Sequence, residues 1–532
     1  MSSRRQFLRN SGLAAVYLAL PAWLTACSRG DAAPAAQRLV QPEVWDDPQP
    51  GAHPEIVHLL NRITYGPRPG EVEQIARSGW DAFLDRQLHP ERIDDSALDD
   101  RLKEFKTLTM GSADLFDAYP PKGMPGPRII IQELEAAALL RAIYSERQLF
   151  EIMVDFWSNH FNIFIGKNQV KWLKTADDRD VIRTHAFGKF RDLLLASAKS
   201  PAMLIYLDNA ENVKPGSRFG RKDSGLNENY AREVMELHTV GVDAGYTQDD
   251  VTTVARALTG WTITRRNADD AGAFQFVPRL HDDGEKRIPF LDLTLPQGGG
   301  IKDGETLLAR LAAHPGTAAR IARKLCVAFV SDDPPPALVA RAAQAYLDSD
   351  TDIRATLEVI LRSDEFKAAA GQKIKLPLRA LVSKMRALGA NIAGDGPKAA
   401  LPLVQQLRDI GQAFFAWQAP NGYPQVGAAW VNTGGMLGRW NLAFALAEGR
   451  VRGVERDLRH FVPSGVAAVG ALTDAVGTAL LHAPLPAPAR AALVGYMSDG
   501  RDDQVTLDQR ELDRKLPELV GLILASPAFQ TH

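Results

Sequence analysis

The spacing of apolar residues is the feature that most limits the folds open to this chain of 532 residues. From Glu55 onward apolar residues recur at intervals of three and four, beginning with Ile56, Leu59, Leu60 and Ile63. This spacing places them on one face of a helix and argues against strands, in which the interval is two. The same spacing predicts further helices at 71–88, 131–164, 178–199, 226–241, 248–260, 305–313, 317–330, 336–348, 352–362, 376–390 and 399–411.

Alternating strand patterns are rare in the same sequence. One runs through Phe274-Gln275-Phe276-Val277 and is followed by Asp283-Gly284, a dipeptide typical of hairpin turns. Hydrophobic residues make up 45% and charged residues 24% of the chain, which is the balance of an ordinary globular protein. The predicted fold class is therefore mainly α, a multi-helix globular body with a small β-hairpin excursion.

The N-terminal segment carries two export signals. Ser3-Arg4-Arg5-Gln6-Phe7-Leu8-Arg9 is typical of a twin-arginine signal, and Leu24-Thr25-Ala26-Cys27 of a lipobox whose cysteine is cut and lipidated. The apolar stretch from Gly12 to Ala26 is shorter than the roughly 20 residues that a membrane-spanning helix needs. We therefore expect export by the twin-arginine route, lipid attachment at Cys27, and a membrane partner through that anchor. The predicted location is the periplasm or the outer membrane.

Composition divides the chain into four predicted parts. Residues 1–27 form the twin-arginine lipoprotein signal, and residues 28–54, rich in Ala and Pro, form a flexible tether. Residues 55–370 form the main helical domain with the candidate site, and residues 371–532 form a C-terminal helical subdomain packed on the first. A Pro- and Gly-rich stretch at 262–304 predicts a long surface excursion beside the central helices.

Charge and cysteine content exclude some classes of function. The net charge is -2, and no basic tract suits nucleic acid, so no nucleic-acid partner is expected. The chain has two cysteines. With Cys27 lipidated, Cys326 is left in an apolar run, where it is expected to pack as a small hydrophobic residue.

The first candidate site residue is His160, in Asp155-Phe156-Trp157-Ser158-Asn159-His160-Phe161-Asn162. On a helix His160 lies among aromatic residues, while the polar residues form a separate stripe. Burial among aromatics lowers the pKa of a histidine and keeps it neutral, as a base or a metal ligand requires. A core histidine bonded to a backbone carbonyl is the alternative interpretation.

The second candidate group is the segment Asn227 to His238. Glu233 and Glu236 share one helical stripe, whereas His238 lies at the centre of the opposite, apolar face. On a regular helix Glu236 and His238 therefore point apart, since a metal pair needs a spacing of three or four. A functional pair requires the helix to end near Leu237. An internal salt-bridge network is the alternative for the acidic stripe.

The third candidate group is His281-Asp282, which follows the predicted strand in the loop excursion. A loop histidine beside carboxylates suits acid–base chemistry or metal binding. A solvated turn is the alternative. Standard motifs are otherwise absent from the sequence, including the Gly-x-Ser-x-Gly elbow, the phosphate loop and His-Glu-x-x-His.

In their order along the chain, these segments resemble the bacterial family called domain of unknown function 1800. The specific blocks are Glu236-Leu237-His238 and Leu258-Thr259-Gly260-Trp261. Other matching stretches are Leu59 to Pro67, Phe156 to Phe161, Pro201 to Asp208, Gly245 to Val251, His314 to Ala318 and Ser526 to Gln530. One departure is visible: after Asn421-Gly422-Tyr423-Pro424 the family's Pro- and Trp-rich run is replaced by Gln425 to Trp430.

The resemblance implies an exported, largely helical protein, and it supplies no reaction. Members look like frequent neighbours of a second exported family whose fold is similar to alkaline phosphatases and sulfatases, which implies a phosphatase- or sulfatase-like partner protein. It names no substrate.

Two functions stay open from the sequence. In the first, the chain is a hydrolase of envelope or imported polymers, and six residues converge on one cleft covered by the 262–304 excursion: His160, Glu233, Glu236, His238, His281 and Asp282. A divalent metal is the candidate cofactor. In the second, the chain is a non-catalytic scaffold or binding partner of another exported enzyme, and the same polar groups are buried structural networks.

Overall fold

A computed structural model describes residues 53–219, 222–266, 268–464 and 468–532. The predicted signal with Cys27, and the predicted tether up to residue 52, lie outside the described residues. The rest of the chain is mainly helical with small two-stranded sheets, which confirms the predicted fold class. Along the described residues no helix is both long enough and apolar enough to cross a membrane.

The first half of the chain contributes short and medium helices that build the core. They are α1 (Pro54–Ile63), α2 (Glu71–Ser78), α3 (Trp80–Leu88), α4 (Ser96–Leu102), α5 (Ser112–Ala118), α6 (Arg128–Tyr144), α7 (Gln148–His160), α8 (Val170–Ala176), α9 (Phe190–Lys199), α10 (Pro201–Tyr206), α11 (Asn229–Glu233) and α12 (Gln248–Ala257). Two of these helices continue as π-helical segments, α8 into Asp177–Arg183 and α11 into Val234–His238.

The second half of the chain is also built mainly of helices. Its helices are α13 (Ile301–Ala312), α14 (Pro315–Phe329), α15 (Pro336–Asp348), α16 (Ile353–Leu361), α17 (Asp364–Lys367), α18 (Pro377–Ala387), α19 (Pro397–Asp409), α20 (Thr433–Ala447), α21 (Val469–Leu481), α22 (Ala487–Met497), α23 (Gln509–Ala525) and α24 (Pro527–Gln530). Helix α14 packs on α15, α19 on α6, and α20 on α23. Helices from beyond residue 370 therefore pack directly on those of the first half.

The strands form four antiparallel pairs in the described chain. They are β1 (Ser217–Phe219) with β2 (Lys222–Ser224), β3 (Trp261–Ile263) with β4 (Phe274–Phe276), β5 (Lys286–Ile288) with β6 (Leu293–Leu295), and β7 (Asn391–Ile392) with β8 (Val454–Glu455). The predicted strand at 274–277 is present as β4, but its partner precedes it. Asp283-Gly284 lies in the loop before β5 and is not the turn of that hairpin.

The predicted helix boundaries differ from the structure where a polar side chain forms a hydrogen bond with a backbone group and so ends the helix. The predicted segment 131–164 is broken between α6 and α7, where the Ser145 hydroxyl donates to Asp95 and the Glu146 N–H donates to the same carboxylate. Helix α12 begins with a capping box, in which Thr247 and Asp250 each accept a hydrogen bond from the other's backbone N–H. Cys326 is buried in α14 with a free thiol, as its apolar neighbours predict.

Candidate functional site

His160 and His238 meet in the core at the ends of two helices. His160 is the last residue of α7 and His238 the last of the π-helical segment after α11. Their ring centroids are 6.0 Å apart, and Phe161 packs against both rings. His160 is 2% exposed and His238 is fully buried. These two histidines, which were expected on one cleft, thus lie side by side, but in the core and closed to solvent.

The hydrogen bonds of His160 fix its tautomer. Its Nε2 lies 3.1 Å from the carbonyl oxygen of His238, which can only accept, so Nε2 carries the proton and donates. Its Nδ1 is then a lone pair and accepts from Lys324 Nζ at 2.7 Å. Burial, together with the positive charge of Lys324, lowers the pKa of His160 well below its ordinary value. The ring is therefore neutral at pH 7, as expected from the sequence.

Lys324 is the basic group of this pair. It lies on α14 and is partly exposed, whereas the ring that it bonds is buried. Burial of its Nζ, with a smaller contribution from the charge of Arg320, lowers the pKa of Lys324 to about 7. Because no carboxylate of the described residues forms an ion pair with it, this amine can exchange a proton near neutral pH.

The π-helical turn separates Glu236 from His238. The segment Val234–His238 ends where Thr239 leaves the helix, and the Gly241 N–H donates to the Met235 carbonyl. The helix thus ends close to the position that a functional Glu236–His238 pair requires. The two side chains nevertheless point apart: His238 packs among aromatic rings, and Glu236 lies near Arg320 on the outer side.

Glu233, Glu236 and Arg320 line the partly exposed side of the same region. Partial burial, and the negative charge of Glu236, raise the pKa of Glu233. Arg320 donates weakly to the Leu237 carbonyl at 3.4 Å and is one of the charges that act on Lys324. Glu233, an acid with a raised pKa, and Lys324, a base with a lowered pKa, are therefore linked through the charges of Glu236 and Arg320.

His238 and Tyr230 have buried polar atoms without partners. Neither ring nitrogen of His238 forms a hydrogen bond, and the same is true of the Tyr230 hydroxyl. The two rings are 6.3 Å apart. Burial, followed by the charges of Lys324 and Arg320, lowers the pKa of His238 to about 3. The ring of His238 is thus uncharged and packs in the core. The polar group of this residue that bonds to His160 is its backbone carbonyl.

His281 belongs to a different cluster. Its Nδ1 lies 2.8 Å from the Thr259 carbonyl and its Nε2 lies 3.2 Å from Asp303, which also accepts from Lys286 Nζ at 2.7 Å. His281 and Lys286 are fully buried, and Asp303 is 2% exposed. Among the described residues, no hydrogen bond or ring contact joins His281 to His160 or His238. The three histidines were expected on one cleft, but His281 bonds within a cluster separate from the one that contains His160 and His238.

Asp282 points away from His281 and is held by an arginine. Its carboxylate accepts from Arg256 at 2.7 and 3.3 Å and from the Gly284 N–H at 2.9 Å. Both oxygens of this carboxylate therefore accept hydrogen bonds from neighbouring groups. The surroundings of Asp282 differ from the solvated turn given as the alternative, because Arg256 on α12, which the sequence did not pair with it, holds its carboxylate.

A ligand set for a metal is lacking in the described ranges. They contain no group of three or more His, Cys, Asp or Glu side chains placed to hold an ion. The described residues therefore offer no such ligand set to the divalent metal that was the candidate cofactor. Clefts of about 430 and 380 Å³ lie elsewhere, on either side of Arg183, and none of the six predicted residues lines them.

Four residues of these two clusters were not predicted as site residues from the sequence: Lys324, Arg320, Asp303 and Lys286. Arg320 and Lys324 are one turn apart on α14, in a stretch that is indistinguishable from a solvated helix face. The available signal was the lysine placed immediately before the apolar run of Cys326. Asp303 stands in the first turn of α13, where an acidic residue is expected for the helix dipole alone.

Comparison with known proteins identifies a family and no activity. A model of the family described as protein of unknown function (DUF1800) matches residues 58–531, nearly the whole chain. No curated protein matches the chain, and no solved structure does.

Proposed function

Because the chain belongs to the DUF1800 family of proteins of unknown function, we propose a function from its own geometry: a hydrolase in which Lys324 is the general base. The observation that carries this proposal is the 2.7 Å contact between Lys324 Nζ and the lone pair of a neutral, buried His160. A lysine with a pKa of about 7 is uncharged in roughly half of the molecules at pH 7. It can therefore accept a proton from water.

The neighbouring side chains supply the other roles of a hydrolytic site. Lys324 takes the proton from a water molecule as that water attacks the substrate. Arg320 stabilises the negative charge that forms on the attacked group. Glu233, whose pKa is raised by partial burial and by the charge of Glu236, is the acid that gives a proton to the leaving group. His160 positions the amine, because its other nitrogen is fixed by the His238 carbonyl.

The proposal is tested with Lys324→Met in purified protein. Nitrophenyl esters, glycosides and phosphates, followed by isolated envelope polymers, are the substrates. A bond that the wild type cleaves should be cleaved at least about 100-fold more slowly by the variant, since a general base contributes that much or more. Arg323→Met, an exposed neighbour on the same helix, is the matched control and should keep wild-type turnover. Full turnover by Lys324→Met contradicts the proposal.

The proposed place of action is the bacterial envelope. The support is the twin-arginine sequence and the lipobox that ends at Cys27. Replacement of both Arg4 and Arg5 by Lys should stop export, because lysine lacks the planar guanidinium fork. Cys27→Ala should release the protein from the membrane fraction or stall its processing. Membrane-bound protein whose Cys27 is unmodified by mass spectrometry contradicts the lipid anchor.

A non-catalytic role is the second candidate. The observation in its favour is that both rings of the His160–His238 pair are buried, where they tie two helix ends together. In that case the partner is an exported protein such as the phosphatase- or sulfatase-like neighbour that the resemblance implies. Co-purification of such a protein with the anchored chain, combined with unchanged turnover in Lys324→Met, decides for the scaffold.

A further inference from the structure

A cleft of about 380 Å³ that the proposed hydrolytic site does not use has three arginines in its wall. They are Arg147, just before α7, Arg183 at the end of the π-helical segment after α8, and Arg354 on α16. The aromatic rings of Phe150 and Phe187 belong to the same wall. The cleft has the volume of a small-molecule site and offers both cations and apolar surface to one ligand.

Two carboxylates form ion pairs with these arginines. Glu151 accepts from both Nη atoms of Arg183, at 2.9 and 2.6 Å, and Glu91 accepts from Arg354 Nη2 at 3.2 Å. Arg147 forms no ion pair with a carboxylate in the part of the chain that the structure describes. Three positive charges thus face two negative charges, and one positive charge is left without a counterion.

The unbalanced charge belongs to Arg147, whose hydrogen-bond donors are partly free. Its Nε donates to the Ile93 carbonyl at 3.0 Å. Nη1 and Nη2 have no partner among the described residues, and neither atom is enclosed, so a ligand can reach them. Hydrogen bonds from Ser96 lower the pKa of Asp94, to which the charge of Arg147 adds least, so this exposed carboxylate is not the missing counterion. Two N–H groups of one planar guanidinium match the two oxygens of a carboxylate.

The apolar part of the wall is aromatic and adjoins the cations. The rings of Phe150 and Phe187 are 6.2 Å apart, with their planes inclined by 27°. The guanidinium of Arg183 lies 5.1 Å from the centre of the Phe150 ring. Phe150 is partly exposed, whereas Phe187 is buried. Aromatic and cationic surfaces side by side suit a ligand whose anionic group is attached to a ring.

We propose that this cleft binds a small aromatic monocarboxylate. The two carboxylate oxygens accept from Nη1–H and Nη2–H of Arg147, and the ring packs against Phe150 and Phe187. A single negative charge balances the excess cation, which favours a carboxylate over the dianion of a phosphate. The site is separate from Lys324 and independent of the hydrolytic proposal.

The test is a titration of 4-fluorobenzoate with the purified protein, followed by fluorine NMR. The signal should shift or broaden until the sites are saturated, and benzoate should displace the probe. No binding at about 10 mM probe overturns the proposal, since a ligand of this size that fits a site binds more tightly.

Competition in the wild type tests the two halves of the ligand. Benzamide keeps the ring without the charge and should compete at least about 10-fold more weakly than benzoate, since a hydrogen bond to a charged group contributes that factor or more. Acetate keeps the charge without the ring and should also compete more weakly, because it leaves the aromatic wall uncovered. Equal competition by either compound overturns the proposed ligand class, and so does stronger competition by phenyl phosphate than by benzoate.

Substitutions locate the site. Arg147→Met should weaken binding of 4-fluorobenzoate at least about 10-fold. Arg92→Met removes an exposed arginine that does not line the cleft, and this matched control should bind as the wild type does. If Arg147→Met does not fold, Arg354→Met tests the same cleft, since it leaves the Glu91 carboxylate unpaired beside the anion and should also weaken binding. Wild-type affinity in the cleft variants, or an equal loss in Arg92→Met, overturns the proposal.

Discussion

Two regions of the molecule each contain a buried histidine and a lysine, but only one of them places a carboxylate between the two side chains. In one, Asp303 lies between His281 and Lys286 and accepts from the lysine at 2.7 Å. In the other, His160 accepts directly from Lys324, and no carboxylate is interposed. The intervening carboxylate makes the first region an ion-paired anchor. Its absence leaves the second with a lysine that can lose its proton near pH 7.

The presence or absence of a countercharge decides whether a buried lysine is structural or basic. With a carboxylate in contact, the ammonium is stabilised and its role is structural. Without one, burial disfavours the charged form and the amine becomes a base. Residue type and burial alone do not distinguish these outcomes.

Removing the carboxylate of the anchor is the largest change that the account predicts. Asp303→Ala leaves Lys286 buried without its ion-pair partner, and the expected loss of unfolding free energy is about 3–5 kcal/mol. Denaturant unfolding measures it. Asp282→Ala, which breaks a partly exposed pair with Arg256, is the control and should cost about 1 kcal/mol or less. If the two variants are equally stable, the anchor role is refuted.

Replacement of His160 and of His238 by phenylalanine should have unequal effects on the free energy of unfolding. His160→Phe leaves the Lys324 amine and the His238 carbonyl without a partner and should cost about 1–3 kcal/mol. His238→Phe replaces a ring whose two nitrogens already lack partners, so its unfolding free energy should change by less than about 1 kcal/mol or rise. Equal losses in the two variants contradict the assignment of polar roles.

How far the sequence predicts this site is clearest from these histidines. The positions of His160 and His238 on apolar helix faces predicted their contact, because two such faces bury themselves against each other. His281 was expected beside them, but its ring bonds to the Thr259 carbonyl, because the path of the 262–304 excursion is fixed by such long-range contacts. The helical fold was predictable because local spacing determines it.

Other features had no local signal. The π-helical turn at Val234–His238 depends on a backbone bond from Gly241 to Met235, which no spacing rule predicts. Lys324 and Arg320 look like ordinary charges on α14, and only tertiary packing shows that Lys324 points at His160. The acidic partner of His281 is 22 residues away in sequence, on another helix.

Stability should also depend on pH through Lys324. The pKa of Lys324 is lowered from 10.5 to about 7 on folding, so the unfolded chain binds more protons between these values. The contribution of Lys324 to stability is therefore least favourable below pH 7, and improves as pH rises from about 7 to 10. The unfolding free energy of Lys324→Met minus that of the wild type should fall across this range. A pH-independent difference contradicts the lowered pKa, and Arg323→Met serves as the flat control.

Competitive acetylation of lysines measures directly whether the Lys324 amine titrates near neutrality. Native protein is labelled with acetic anhydride at a series of pH values, and the labelled peptides are quantified by mass spectrometry. Labelling of Lys324 should follow a titration with a midpoint near pH 7, and in His160→Phe that midpoint should move. A midpoint near the ordinary value of 10.5 would contradict both the general-base proposal and the contrast with the Asp303 anchor.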